Sequence, residues 1–225
     1  MEQVDQIRKN RMMLLLIAGI PVTMILAASW LWYFVVRGEL DLVGTLGTAN
    51  RGSLVRPPRQ LDDVELRDDQ GYVFRYGDME PRWTMLVPNA GAECADSCER
   101  SLYLTRQIHV AMGKGFSRLR RLYVGDVAAA DTRLSVASLS DEHPAPPTVA
   151  DLLDSEHRGV SSLAGSPALL QPLFREYLED PSTWYLVDPA GWVMMSYNDE
   201  VPYKDVIADL KFLLKNSSES VSYTH

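Results

Sequence analysis

The chain has 225 residues and a formal net charge of −8, with 22 basic and 30 acidic side chains. This length leaves room for one folded domain with a sizeable core besides shorter segments. The acidic balance argues against nucleic-acid binding and against a second, electrostatic attachment to anionic lipid.

An uncharged apolar run stands near the N-terminus, at residues 12–36. A helix of this length rises about 37 Å, enough to cross a hydrocarbon core of about 30 Å. The run is too long for the core of a cleaved signal peptide, and a buried core helix of this length would show a polar face. Pro21 is tolerated as a kink within a bilayer, and Trp30, Trp32 and Tyr33 suit the headgroup region. The sequence therefore predicts a single transmembrane helix.

The charges that flank this run predict its orientation. Arg8, Lys9 and Arg11 precede it, whereas Arg37 alone follows it closely. By the positive-inside rule, residues 1–11 stay in the cytoplasm and the rest of the chain lies outside. We therefore expect a single-pass protein of the inner (cytoplasmic) membrane whose domain lies in the periplasm.

The exported part divides by composition into a tether, one domain and a tail. Residues 37–58 are rich in Gly, Ser and Thr and end in a Pro-Pro pair, which is typical of a tether between membrane and domain. Residues 59–216 carry the periodic apolar pattern of a folded domain. The polar segment 217–225 is predicted to be a disordered tail.

Within the domain the predicted elements alternate between strands and helices. In chain order they are a hairpin turning at 68–71, a strand at 83–87, a helix at about 95–112, a strand centred on 122–124, one short helix near 148–159, a helical stretch near 166–180, a strand–turn–strand at 182–197 and a helix at 203–215. Two parallel strands joined by a helical crossover, extended by an antiparallel pair and a closing helix, form the thioredoxin arrangement. We therefore predict an α/β, thioredoxin-like fold with an N-terminal β-hairpin.

The chain has two cysteines, Cys94 and Cys98, between the strand at 83–87 and the helix that follows it. Residues i and i+4 of a helical turn share one face, and a helix N-terminus stabilises a thiolate and lowers its pKa. One such thiol can attack a disulfide, and the second can resolve the mixed disulfide or supply a second sulfur ligand to a soft metal. A structural disulfide, which would be a poor staple for so small a loop, and two inert thiols are the alternatives.

Three stretches, ECADSCERSLYLTRQ, YLVDPAGWVMMSY and DLKFLL, carry a resemblance to a known family. A single span, a strand followed by C-x-x-x-C and a helix, and a later apolar strand running into Asp-Pro-x-Gly resemble the Sco (SenC-type) copper chaperones. The resemblance covers about residues 64–214. It implies a thioredoxin-like fold in which Cys94 and Cys98 are the catalytic thiols and candidate copper ligands. It also implies a role in maturing the dinuclear copper centre of cytochrome c oxidase, with the oxidase copper-binding subunit or other assembly factors as partners.

One part of the family pattern is missing. The family has a histidine just before the strand that leads into Asp-Pro-x-Gly, whereas Asp180 stands in that neighbourhood here. His109 is expected about 16 Å from Cys98 along the helix. His143 and His157 stand in an irregular region that could fold over the cysteines. The missing histidine favours thiol chemistry over stable copper binding.

Three functions remain open from the sequence. The first, which we predict, is a Sco-like assembly factor that reduces the cysteine pair of an oxidase copper subunit, hands over copper, or does both. The second is a general thiol–disulfide oxidoreductase of the membrane surface, although the W-C-x-x-C core of that group is absent. The third is a non-catalytic thioredoxin-fold module that keeps its disulfide as structure.

Overall fold

The computed structural model describes residues 2–36 and 50–220. The chain forms two compact units, residues 1–49 and 50–225. The described part of the first unit is helix α1 (Glu2–Val36).

Helix α1 contains the predicted membrane span. Its segment Arg11–Trp30 is long and apolar enough to cross a bilayer, and it is the one such segment among the described residues. The helix continues through Pro21, and the Thr23 hydroxyl donates a hydrogen bond to the Ile20 carbonyl at 2.9 Å. By length and composition, α1 can therefore span a membrane.

The second unit is built on an eight-stranded mixed sheet with helices on both faces. Its strands are β1 (Ser53–Gln60), β2 (Leu66–Asp68), β3 (Val73–Phe74), β4 (Trp83–Asn89), β6 (Leu119–Gly125), β8 (Val160–Ala164), β9 (Trp184–Val187) and β10 (Trp192–Tyr197). The spatial order is β1-β10-β9-β4-β6-β8-β2-β3. A separate two-stranded ladder joins β5 (Glu93–Cys94) to β7 (Arg133–Leu134). The helices of this unit are α2 (Asp96–Ala111), α3 (Val149–Glu156), α4 (Pro167–Leu173), α5 (Arg175–Glu179) and α6 (Tyr203–Ser220).

The centre of the sheet is parallel, with β4, β6 and β8 side by side. The chain crosses from β4 to β6 through α2 and from β6 to β8 through α3. Strands β9 and β10 add antiparallel to the β4 edge, and α6 follows them. At the opposite edge, β2 and β3 form the predicted hairpin, and β2 pairs with β8. This is the predicted thioredoxin arrangement.

Side chains that alternate along the strands build a core on each face of the sheet. Met85 and Val87 of β4 belong to one buried cluster and Leu86 to the other. Trp184 and Tyr185 of β9 divide between the clusters in the same way. Successive strand residues point to opposite faces, so a continuous apolar run such as β4 is the pattern of a strand buried on both sides.

The folded domain begins earlier than predicted. Residues from Ser53 onward form edge strand β1 on β10, so the last six residues of the predicted tether 37–58 are part of the sheet. Pro57 and Pro58 are compatible with this position because a proline, which has no N–H, is tolerated on an edge strand. Residues 37–49 of the tether lie outside the described part of the chain.

One strand and one helix end also differ from the prediction. Strand β8 was not predicted, since its Ser161-Ser162 pair interrupts the apolar pattern. The predicted disordered tail begins too early, because α6 continues to Ser220. The Trp83 indole donates to the Ser217 hydroxyl at 3.2 Å, a contact between distant parts of the chain that holds the last turns of α6. Residues 221–225 lie outside the described chain.

Candidate redox site

Cys94 and Cys98 form a disulfide across the start of α2, with their Cα atoms 5.3 Å apart. Cys94 is the last residue of β5, Ala95 is the N-cap of α2, and Cys98 lies in the first turn. The expectation that both cysteines share one helical face is therefore wrong, because Cys94 belongs to extended chain that the β5–β7 ladder holds. The bridge joins the end of a strand to the beginning of a helix.

Both cysteines are buried, with 0% of Cys94 and 2% of Cys98 exposed. They belong to one of the two sheet cores, together with Leu139, and Leu134 and Val136 pack against that core. A thiol reagent must reach the sulfur it attacks. Thiol exchange at this site therefore requires part of the structure around the disulfide to open.

Residues 133–148, here named the cover segment, are tied directly to the cysteine backbone. Leu134 of β7 pairs with Cys94. The Ser135 amide donates to the Cys94 carbonyl at 3.0 Å, and the Ser135 hydroxyl donates to the same oxygen at 3.3 Å. The segment is therefore bonded to the chain at Cys94, and its apolar side chains join the core that contains the disulfide.

A buried carboxylate next to the disulfide holds the cover segment to α2. Glu99 is 3% exposed and accepts hydrogen bonds from the Ser140 amide at 2.9 Å and the Ser140 hydroxyl at 2.6 Å. We name this contact the Glu99–Ser140 latch. The sequence pattern does not predict this contact. The one local indication is a charged residue, Glu99, directly after Cys98 on the helix face that also carries Leu102.

A second polar contact holds the far turn of the cover segment. The Arg106 guanidinium forms ion pairs with Asp141 at 3.0 Å and with Glu156 at 3.1 Å. The His143 Nδ1 atom lies 3.2 Å from the Asp141 carboxylate, and the side chain of His143 is 68% exposed. His143 thus faces Asp141 and solvent.

The other two histidines of the described residues, His109 and His157, make contacts away from the cysteines, and His225 lies outside the described chain. The His109 ring stacks on Phe116 with centroids 3.9 Å apart, and burial lowers the pKa of His109. His157 is 2% exposed, and its Nδ1 atom lies 3.1 Å from the Arg121 guanidinium. Within residues 2–36 and 50–220, no three or more His, Cys, Asp or Glu side chains are grouped so that they could hold a metal ion.

The stretch in which the Sco family has its histidine lies beside α2. The Ser101 hydroxyl, one turn after Cys98, donates to the Ser182 carbonyl at 3.3 Å. Asp180 accepts bonds from the Ser182 amide at 2.9 Å, the Ser182 hydroxyl at 2.7 Å and the Asn198 amide at 3.0 Å. The bonds from Ser182, followed by that from Asn198, lower the pKa of Asp180. The Asp180 carboxylate therefore stabilises the turn at residues 180–182.

The residues present do not complete a two-sulfur, one-nitrogen copper site. Once reduced, Cys94 and Cys98 would offer two soft thiolates, the ligands that suit Cu(I). Met195 belongs to the same core cluster, but its sulfur accepts a hydrogen bond from the Tyr197 hydroxyl at 3.7 Å. No described histidine is grouped with the pair.

His157 predicts a pH dependence of stability. Burial, then the charges of Arg121 and Arg106, lower its pKa to about 3, whereas an unfolded histidine titrates near pH 6.5. The unfolded state therefore binds the extra proton between these values, and the contribution present above about pH 6.5 is lost as the pH falls. We expect this histidine to remove about 2 kcal/mol of unfolding free energy between pH 7 and 5.

Urea unfolding of the full chain in a nonionic detergent, at pH 7 and pH 5, measures this loss. His157→Gln keeps an acceptor for Arg121 and should flatten the pH dependence by that amount. His143→Gln is the matched control, because His143 is 68% exposed. Equal pH dependence in the His157 variant and the parent chain would contradict a buried, neutral His157.

The fold and the cysteine pair at the start of α2 define a thioredoxin-like protein. The family model described as "Transmembrane-like, thioredoxin-like, C-terminal domain" matches residues 83–217. That match covers more than half of the chain, so the chain belongs to this family, and the predicted thioredoxin-like fold is confirmed. Among curated proteins, none matches the chain significantly.

Solved structures similar to the chain include several Sco proteins. Yeast Sco1 with copper bound is 16% identical, and the match covers 75% of this chain and 95% of the Sco1 chain, with a TM-score of 0.49. ScoI from Bradyrhizobium japonicum with copper bound is 20% identical, with coverages of 71% and 97% and a TM-score of 0.43. A thiol:disulfide interchange protein from Bacteroides sp. is 11% identical, with coverages of 77% and 96% and a TM-score of 0.46. The family model and the strand topology, rather than these similarities, establish the thioredoxin-like fold.

Proposed function

We propose that the chain is a membrane-anchored assembly factor that acts on a haem-copper oxidase by thiol–disulfide exchange at Cys94 and Cys98. Helix α1 would hold the domain at the periplasmic face of the inner membrane, as the basic residues before the span indicate. The observation that carries the proposal is the disulfide between the end of β5 and the first turn of α2. A helix N-terminus is where a thiolate is stabilised.

The exchange conserves electrons and protons. A dithiol reductant first reduces the Cys94–Cys98 disulfide and leaves as a disulfide. The Cys94 thiolate then attacks a disulfide of the client, and the departing client sulfur takes a proton. The Cys98 thiolate attacks the mixed disulfide, which releases the client with two thiols and restores the bridge. Two electrons pass from the cysteine pair to the client.

Burial of the pair makes the cover segment the gate of this reaction. In the closed arrangement both sulfurs are shielded, which protects the disulfide from unspecific reductants. Movement of residues 133–148 would expose them and break the Glu99–Ser140 latch. A client that replaces the cover segment on β5 and α2 would thus select the reactive state. No step passes through copper, because the described residues do not complete its site.

The test uses the full chain in cells that make the oxidase. Cys98→Ser leaves Cys94 able to attack but unable to resolve, so a mixed disulfide with the oxidase copper-binding subunit should accumulate. Cys94→Ser should trap much less of it, and the double variant should trap none. Oxidase copper content and activity should fall in all three variants. If the double variant leaves both unchanged, the proposed function is wrong; trapping of other clients alone would instead support a general oxidoreductase.

A second candidate is favoured by the burial itself. With 0% and 2% of the two cysteines exposed, the disulfide has the environment of a structural bridge. A non-catalytic binding module predicts that the bridge resists reduction until the domain unfolds. The rate of reduction under native conditions therefore separates this candidate from the first.

A further inference from the structure

A cavity of about 650 Å³ lies at the edge of the sheet where the parallel strands begin. The starts of β6 and β8, the C-terminal part of α2 and the end of α3 line it. Cys98 lies at the other end of α2, about 16 Å from His109 by helix geometry. Five arginines line this cavity, Arg82, Arg106, Arg120, Arg121 and Arg158, against one carboxylate, Glu156, which pairs with Arg106. In a chain of net charge −8, such a concentration of positive charge is unexpected.

The most buried of these arginines has no carboxylate partner. Arg121 is 6% exposed, and one N–H group donates to the His157 Nδ1 atom at 3.1 Å. Its other side-chain N–H groups have no acceptor among residues 2–36 and 50–220, and Arg121 is one of the residues that line the cavity. Burial, followed by the charge of Arg106, lowers the pKa of Arg121 to about 10, so it remains charged at neutral pH. A buried guanidinium without a counter-ion is costly.

Two further arginines lack an ion pair within the described chain. Arg158 forms no ion pair with a described residue. Arg120 donates hydrogen bonds to the Glu80 carbonyl at 2.7 Å and to the Met79 sulfur at 3.0 Å. Arg82 forms an ion pair with Glu80, but its buried Nε–H finds no acceptor among the described residues. The wall therefore carries uncompensated positive charge and open donors.

An apolar surface stands beside these charges. Phe116 and Val110 both line the cavity, and they are 49% and 65% exposed. The His109 ring stacks on Phe116 with an angle of 4° between the planes, which holds the Phe116 ring in place. A cavity of this volume is in the range of small-molecule sites and exceeds what an inorganic ion needs.

We propose that this cavity binds an organic phosphate monoester, with the phosphoryl group on Arg121, Arg120 and Arg158 and an apolar group on Phe116. A monoester carries nearly two negative charges and several acceptors, which suits guanidinium forks better than a single carboxylate does. The phosphoryl group has two sources, a soluble metabolite or a phosphatidic-acid headgroup. The site does not depend on the function proposed for the cysteines.

The direct test is calorimetric titration of phenyl phosphate into the full chain in a nonionic detergent. Arg121→Gln should weaken binding at least about tenfold, because a charge-assisted bond in a shielded site is lost. Arg100→Gln is the matched control, since Arg100 is on α2 but in an exposed pair with Asp96. Because Arg121 is buried, a second variant tests the surface: Phe116→Ala should weaken phenyl phosphate severalfold and leave inorganic phosphate unchanged.

Nanodiscs separate the two sources. If the natural ligand is lipid, phenyl phosphate should bind more weakly in discs with phosphatidic acid than in phosphatidylcholine discs. Equal affinity in both discs supports a soluble phosphate ester. The proposal is overturned if phenyl phosphate binds more weakly than about 10 mM in detergent, or if Arg121→Gln binds it as the parent chain does.

Discussion

Glu99→Ala is expected to speed reduction of the Cys94–Cys98 disulfide by dithiothreitol by about one to two orders of magnitude. The substitution removes the acceptor for the Ser140 amide and hydroxyl, at 2.9 and 2.6 Å. Hydrogen bonds to a charged group contribute about 1.5–3 kcal/mol, and each 1.4 kcal/mol changes an opening equilibrium tenfold. When opening is faster than the chemical step, the reduction rate follows the population of the open state.

The rate is measured under native conditions in detergent, with the released thiols titrated over time. Glu93→Ala is the matched control, because Glu93 is also beside the disulfide but its ion pair with Arg133 is exposed. That variant should change the rate less than about threefold. Glu99→Gln, which keeps one acceptor, should lie between the two.

The outcome bears directly on function. If Glu99→Ala and the parent chain are both reduced only at the rate of global unfolding, the cover segment is no gate, and the structural disulfide gains support. A selective acceleration in Glu99→Ala without loss of global stability would mean that the segment opens locally. Local opening is what thiol exchange with a client requires, since Cys94 is 0% exposed in the closed arrangement.

Asp209→Ala is expected to lower the unfolding free energy of the second unit by about 3 kcal/mol. Asp209 is 4% exposed and accepts bonds from the Arg51 amide at 2.8 Å, the Gly52 amide at 3.1 Å and the Tyr197 hydroxyl at 3.1 Å. These bonds tie α6 to the entrance of β1 and to β10. Burial, then the charge of Asp209, raises the pKa of Tyr197, so its hydroxyl remains a donor at neutral pH.

Urea unfolding followed by tryptophan fluorescence measures this loss. Asp205→Ala is the comparison, since Asp205 lies one turn earlier on α6, in the first turn of the helix. It should cost no more than about 1 kcal/mol, the usual worth of an acidic residue near a helix N-terminus. A similar loss in both variants would mean that the buried carboxylate does not anchor the edge strand.

The sequence determined the elements whose pattern is local. The uncharged run within α1 and the continuous apolar run of β4 are visible without any partner, because length and periodicity alone define them. Strands β9 and β10 around Asp188–Gly191 were found for the same reason: a turn signal separates two apolar runs. The lone pair Cys94 and Cys98 was likewise visible as the candidate site.

Long-range contacts decided the rest. Strand β1 pairs with β10, and Asp209 accepts hydrogen bonds from the two amides just before the strand, although the strand's own sequence has two prolines and little periodicity. The Glu99–Ser140 latch joins residues 41 positions apart, and the ion pair of Arg106 with Asp141 joins residues 35 apart. Neither contact has a local signature, so the irregular pattern between residues 128 and 165 does not reveal that residues 133–148 pack near the Cys94–Cys98 disulfide.

Burial and charge compensation were also tertiary outcomes. The sequence predicts Cys94 as an attacking thiol, but only the tertiary structure shows that Cys94 is buried in a core. Composition indicated an acidic surface, and only the fold gathers Arg82, Arg121 and Arg158 into one cavity. The physical reason is the same in each case: periodicity reports which face of an element is buried, whereas desolvation and pairing depend on which other elements reach that face.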